Sequence, residues 1–491
     1  MIVITQQNVF NVPFSFIIFG GSGDNSYQKI YPALYDIAEK KMFPENFAII
    51  ATGRRYSEEE FSAFFQHSLT SDNRHHKHSI DSDSFKFLKS HMYFFPGDNT
   101  KLSFYKDLDR YLDKLGSEGF HSNNRLFYLG LPQSIYPTVF KNVKKSGLNK
   151  SRLGGWTRIM IEKPIGYDVA SARRYDKMFL DTFSEEQIFR LDHYLGKETL
   201  ENILSFRFDN NIFENLLHAG YLDHIQISAP ENFGIGKRGK FYEETGALKD
   251  VGQNHILQMI ALATMERPRG DTDKELVRSR IDLIKNLSAK PADVVFGQYT
   301  DGEVDGKKVV GYRDEESVDP DSEVETFFAF KAHFKHDRFK NVPIYVRAGK
   351  QMTTWVTEIN YVFKSHNIGD NVLTIRIQPN EGVGLKILTK KPGYAKVLEP
   401  TLMQFCYKHY FPEETFDAYE KLLQDAFAGK RTSFNTSEEV EAEWQFIDPL
   451  VKNRTPITFH KAGSWGPKEA FDLIEYDGRN WIEPYAAFCQ I

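Results

Sequence analysis

Along the first 180 residues, short apolar runs alternate with stretches whose apolar positions recur at helical spacing. FSFIIF (14–19) is continuously apolar and ends in glycines, and in the following QKIYPALYDIAEKK the residues Ile30, Leu34 and Ile37 fall on one helical stripe. This predicts strand, glycine-rich turn, helix. The run Phe47 to Ala51 predicts a second strand, followed by TGRR and a helix over SEEEFSAFFQHSL, where Ser57 is placed to cap and three glutamates suit the positive end of the first turn. RLFYLGL (125–131) and TRIMIEK (157–163) are two further strands separated by the helical IYPTVFKNVKKSG. Strands alternating with helices predict a parallel sheet covered on both faces.

Beyond about residue 180 the rhythm changes. YLDHIQISA, TFFAFKAHF, VPIYVRAG, EINYVF and NVLTIRIQP are rich in β-branched and aromatic residues, with few helical patterns between 320 and 390. They predict an antiparallel sheet, and the boundary is set at 178/179. The polar stretch 301–323 reads as an exposed loop.

Length and charge narrow the function. A chain of 491 residues exceeds what one core usually supports, so two domains are expected. A net charge of −5 gives no global case for nucleic acid or an anionic membrane as partner. No segment reaches the roughly 18 apolar residues a membrane span needs, and the start MIVITQQNVF lacks the basic-then-apolar pattern of a secretory signal. Cys406 and Cys489 are too few for a disulfide framework or a structural zinc site, a usage that suits a reducing compartment and a cytoplasmic protein. His75, His76 and His78 cluster in NRHHKHS without accompanying carboxylates or thiols, and read as solvated loop; no metal is expected.

The turn FGGSGDNSYQK offers Gly20, Gly21, Ser22, Gly23 and Asp24 between a strand and a helix. Glycines there let a pyrophosphate approach the backbone at the positive end of the helix. The second strand ends in Arg54 and Arg55, where a site for NAD usually offers an acid; two guanidiniums suit the 2′-phosphate of NADP. The bland alternative is solvated surface charge. The first domain (1–178) is thus expected as an α/β Rossmann-like dinucleotide-binding domain, and the second (179–491) as an α+β domain with a large, mostly antiparallel sheet.

The segments GGSGD, IEKPIGYD (161–168), RLDHYLGKE (190–198), KDVGQNHILQM (249–259), VRAGK (346–350) and IRIQPNEGVGLKILTKKPG (375–393) occur in the order and spacing of the glucose-6-phosphate dehydrogenase family, which the chain resembles over nearly its whole length. The resemblance implies oxidation of glucose 6-phosphate at C1 with NADP, NAD remaining open because some relatives use both. His255 matches the family's base and Asp192 the carboxylate that serves it. His193, Tyr194 and Lys197 match the phosphate-binding residues; Glu231, Glu243 and Lys350 match further substrate contacts, with Glu243 standing where the family usually has Asp. Lys163 matches a lysine between sugar and nicotinamide, and Lys29 one near both ligands. The family also implies a homodimer.

Three departures stand out. Asn25 and Ser26 replace small or apolar residues of the turn. Thr354 and Trp355 stand where the family usually has a base, which implies weaker phosphate binding. The animal enzymes of the family carry a second, structural NADP; here Arg376 and Lys386 match its cations, but Val356 and Asn360 do not, so no second cofactor is expected. Other readings are a paralogue for another sugar or sugar phosphate, and a non-catalytic NADP sensor.

Overall fold

A computed structural model describes residues 11–71, 78–117, 123–151, 154–270, 272–365, 369–411, 416–485 and 488–489; most of the NRHHKHS cluster, including His75 and His76, lies outside them. Two compact units emerge, one from residues up to Gly166, Ala170–Gly196 and Phe416–Ser437, the other from Tyr167–Val169, Lys197–Thr415 and Glu438–Ile491.

The first unit is built on a seven-stranded sheet in the order Phe434–Asn435, Ile188–Leu191, Thr157–Ile161, Arg125–Leu129, Phe14–Phe19, Phe47–Gly53, Met92–Pro96. All neighbours are parallel except the first pair. Every residue of Phe14–Phe19 and Phe47–Gly53 is buried, which is why those strands read as continuous apolar runs and not as alternations. The helix Glu58–Thr70 begins as its sequence predicts: Ser57 Oγ accepts the N–H of Glu60 (3.2 Å) and Glu60 Oε2 accepts the N–H of Ser57 (2.7 Å). Ile188–Leu191 lies past the expected boundary, yet it pairs in parallel with Thr157–Ile161. Its four residues are too short for a periodicity, and the return of Phe416–Ser437 to this unit has no local signal at all.

The second unit holds a nine-stranded sheet in the order Leu398–Cys406, Gly382–Lys390, Val372–Gln378, Thr357–Phe363, Leu222–Pro230, Ile344–Gly349, Phe327–Phe334, Leu287–Thr300, Thr458–Lys461. It is antiparallel but for two pairs, Leu222–Pro230 with Ile344–Gly349 and Leu287–Thr300 with Thr458–Lys461. The stretch expected as an exposed loop contains a hairpin, Gly302–Val304 with Lys307–Val309. Asp305 (φ 49°) and Gly306 (φ 75°) make its turn, and an Asp-Gly pair is what such a two-residue turn favours. Tyr312, just beyond, is fully buried.

The C-terminal tail crosses one face of this sheet, tied down strand by strand. Gln226 donates to the carbonyl of Asn480 (2.8 Å) and accepts the N–H of Ile482 (2.8 Å). Arg347 donates to the carbonyl of Ile482 (3.1 Å) and Arg376 to that of Tyr485 (3.2 Å). A side chain at Gly384 would stand 2.6 Å from the Phe488 ring, so the glycine makes room for it. The tail ends in a disulfide between Cys489 and Cys406 on the edge strand. This corrects the expectation of two reduced thiols: residues 83 apart in sequence are brought together by the tail's path. Cys489→Ser is expected to speed amide exchange over 482–489 and leave the helix Glu58–Thr70 unchanged, as read by hydrogen–deuterium exchange. Among the described residues no helix is long and apolar enough to cross a membrane.

Candidate functional site

In the first unit, Gly20 adopts φ 83°, and a Cβ there would sit 2.1 Å from the carbonyl oxygen of Gly130; one at Gly21 would sit 2.7 Å from Ala51 Cβ. Only glycines let the first strand's end lie this close to its neighbours. The N–H of Gly21 bonds the Thr52 carbonyl (2.8 Å) and that of Gly23 the Gly20 carbonyl (2.9 Å). Ser22 and Asp24 complete the turn, and a helix enters through a wide π turn, Ser26–Ile30, before Tyr31–Glu39. The departures from the usual turn are absorbed. Ser26 is buried and donates to the Gly20 carbonyl (3.0 Å), and Asn25 is exposed, so neither polar group is stranded. Lys29 is exposed on the same turn. These glycines allow close packing of the strand ends at a strand–turn–helix junction, the place where a dinucleotide pyrophosphate meets the positive end of a helix.

Arg54 and Arg55 are exposed just past the second strand. Thr100, through its N–H and hydroxyl, holds the Asp98 carboxyl below the usual range, with a smaller contribution from Arg54.

Lys163 follows the strand Thr157–Ile161 and precedes a cis proline. Beside it, Glu162 is buried, and its carboxylate accepts the hydroxyls of Tyr128 (2.7 Å) and Tyr419 (3.2 Å) and the N–H of Lys163. Burial pushes the Glu162 carboxyl up despite these donors. Tyr419 also stacks on the His193 imidazole, at 6.4 Å between ring centres and 14° between planes. Glu162, Tyr128 and Tyr419 were not singled out in the sequence. The available signal was an acid next to the motif lysine.

RLDHYLGKE folds as a strand end and a turn. Asp192 is fully buried, its carboxylate accepting the N–H of Tyr194 (2.9 Å) and its carbonyl that of Leu195 (3.0 Å). A Cβ at Gly196 would meet the Ala418 carbonyl at 2.6 Å, so this glycine permits the close approach of the helix Ala418–Ala428. Asp192, His193, Tyr194 and Lys163 thus share one unit.

In the second unit, Lys197 stands at the start of the helix Glu198–Phe208 and bonds Gln378. Lys350 is buried and pairs with Glu231, so two of the expected sugar contacts are already joined. Glu243 is engaged differently: its Oε1 accepts the hydroxyls of Tyr312 (2.5 Å) and Ser322 (2.7 Å). Thr354 and Trp355 are half-buried. His255 is 3 % exposed, within a wide π-helical segment, Leu248–Ile256, that continues as the helix Leu257–Thr264.

Two family models together cover most of the chain. The NAD binding domain of glucose-6-phosphate dehydrogenase matches residues 17–202, and the C-terminal domain of the same family matches 204–482. The chain belongs to the glucose-6-phosphate dehydrogenase family. Among its relatives, the glucose-6-phosphate 1-dehydrogenase of Chlamydia muridarum is 37 % identical over 96 % of each chain, and that of Bacillus subtilis (strain 168) 36 % identical over 95 % of this chain and 97 % of its own. A solved glucose-6-phosphate dehydrogenase in complex with its substrate glucose-6-phosphate superposes with a TM-score of 0.88 at 29 % identity, covering 96 % of this chain and 99 % of that one.

Within this family frame, Arg376 is engaged by the protein itself. Its guanidinium bonds Glu358 Oε2 (3.0 and 3.2 Å) and lies 4.4 Å from the centre of the Phe488 ring. A cofactor phosphate at Arg376 would have to displace a buried carboxylate. Isothermal titration calorimetry with NADP is expected to give one site per chain; two would refute the sequence-based expectation.

Proposed function

We propose that the protein oxidises D-glucose 6-phosphate at C1 to 6-phospho-D-glucono-1,5-lactone with NADP. The observation that carries the proposal is the match of both domains to one family, with Asp192 in RLDHYLGKE and His255 in DVGQNH retained and buried.

His255 is the proposed base. It takes the proton from the C1 hydroxyl as the C1 carbonyl forms, and Asp192 is the carboxylate that stabilises the resulting imidazolium. NADP, when bound, takes up the C1 hydride. Gly20, Gly21, Ser22, Gly23 and Asp24 would hold the pyrophosphate; Arg54 and Arg55 would hold the 2′-phosphate, which favours NADP over NAD. His193, Tyr194 and Lys197 supply the donors and the positive charge that anchor the sugar's phosphate, and Lys163, Glu231 and Lys350 orient its hydroxyls. A homodimer belongs to the same proposal.

Glu243 favours a second reading. Its engagement by Tyr312 and Ser322 leaves one acceptor fewer for a sugar hydroxyl, a change that suits another sugar phosphate. Following NADPH formation with glucose 6-phosphate, free glucose and other hexose phosphates separates the two. Highest kcat/KM with glucose 6-phosphate supports the first reading; no turnover of any sugar, with NADP bound, would leave a cofactor-sensing relative.

A further inference from the structure

The helix that presents His255 is fixed by groups outside it. It starts at a kink, where Gly246 takes φ 70° and ψ 174°. A Cβ at Gly246 would stand 2.4 Å from the Glu325 carboxylate. Glu325 holds the start: its carbonyl accepts the N–H of Ala247 (3.0 Å) and its carboxylate that of Leu248 (3.2 Å). The chain is then wound as wide π turns over Leu248–Ile256 and tightens to an α-helix at Leu257. A π turn rotates each residue less than an α turn does, so the direction in which residue 255 points depends on the segment staying wide.

Two amides bracket His255, and both donate to one carboxylate. Gln253 Nε2 lies 2.6 Å from Glu443 Oε2, and Gln258 Nε2 lies 2.7 Å from Glu443 Oε1. Gln253 belongs to the wide segment and Gln258 to the α-helix after it, so the carboxylate spans the change of winding. Glu443 is fully buried on the helix Ser437–Lys452. That helix is itself anchored, because Glu439, one turn earlier, accepts from the buried Arg280 (2.8 Å).

We propose that Glu443 is a positioning residue for His255: by clamping Gln253 and Gln258 it sets the winding of the helix and thereby the aim of the imidazole. The inference rests on the reading of His255 as the base. It needs no contact between Glu443 and substrate.

Glu443→Gln tests it at nearly constant volume. An amide carries no charge and offers one acceptor where two are required, so both charge-assisted bonds weaken and one of the two glutamines must turn its amide over or lose its partner. A misaimed base costs turnover and not binding; kcat is expected to fall by about 10²-fold, with KM for glucose 6-phosphate and NADP within about twofold. Combining Glu443→Gln with Gln253→Glu puts a donor against an acceptor at both contacts again, and most of the lost kcat is expected to return. Wild-type turnover in Glu443→Gln overturns the proposal. So does a folded double exchange that does not recover. Where Glu443→Gln does not fold, Gln258→Met removes one of the two bonds and reads the same split of kcat from KM. An active His255→Asn would instead sink the assignment of the base; an inactive His255→Asn beside a fully active Glu443→Gln sinks only the clamp.

Discussion

His255→Asn is expected to lower kcat by about 10²- to 10⁴-fold, the range that removal of a general base spans. Asparagine keeps a planar polar group of similar reach but cannot accept a proton at neutral pH, so the C1 hydroxyl proton has nowhere to go as the hydride leaves. The fold has little reason to respond. The bonds that define the helix are made by the N–H groups of Ala247 and Leu248 and by the side chains of Gln253 and Gln258, none of which the substitution touches. The N–H of residue 255 itself, which donates to Asn254 Oδ1 (2.6 Å), is also retained. KM for glucose 6-phosphate is expected to change little, because the phosphate anchor is assigned to His193, Tyr194 and Lys197. Steady-state kinetics with matched circular dichroism checks this, and a variant within a few-fold of wild type would place the base elsewhere. Asp192→Asn is the informative companion. Its remaining oxygen can still accept the Tyr194 N–H, so the turn survives while the carboxylate charge is lost.

Arg54→Ala combined with Arg55→Ala is expected to raise KM for NADP by about 10²-fold and leave that for NAD within a few-fold. One charge-assisted bond to a phosphate contributes roughly 1.5–3 kcal/mol, which corresponds to about 10- to 150-fold in affinity. Both side chains are exposed, so their removal leaves no buried cavity and no stranded partner in the free protein. Parallel kinetics with both cofactors decide the matter. An equal rise for NAD and NADP would mean that the arginines touch a part the two share.

The sequence was most legible where burial is complete on both faces or where chemistry is local. FSFIIF and the run from Phe47 could be read as strands because no residue in them faces water. Ser57 could be read as a cap because the whole motif lies within four positions. The glycine-rich turn after the first strand and the turn in RLDHYLGKE were legible for the same reason: each places glycines at sites of close backbone approach within one short segment. What escaped depends on contacts between residues distant in the chain. Cys406 and Cys489 carry no sign that a tail will cross the sheet to join them. Glu443 sits on a helix that begins SEEVEAE, where an acid reads as solvated, yet it is fully buried against two glutamines. Asp305-Gly306 was a local signal passed over, because the surrounding charge suggested a loop and the turn chemistry was given too little weight.

The return of Phe416–Ser437 to the first unit bears on how the protein comes off the ribosome. When Gly196 has emerged, six of the seven strands of the dinucleotide sheet exist, but Phe434–Asn435, Tyr419 and Phe427 do not. Phe427 packs against Phe14 and Phe16 at 4.3 and 5.5 Å between ring centres, and Tyr419 is one of the two phenols bonded to Glu162. Translation of residues 197–415 takes roughly 10 to 45 s at common rates of synthesis. For that interval the first unit lacks the segment that packs on Phe14 and Phe16 and supplies one of the two donors to Glu162. The domain begun first therefore cannot take its final form until most of the other has been made.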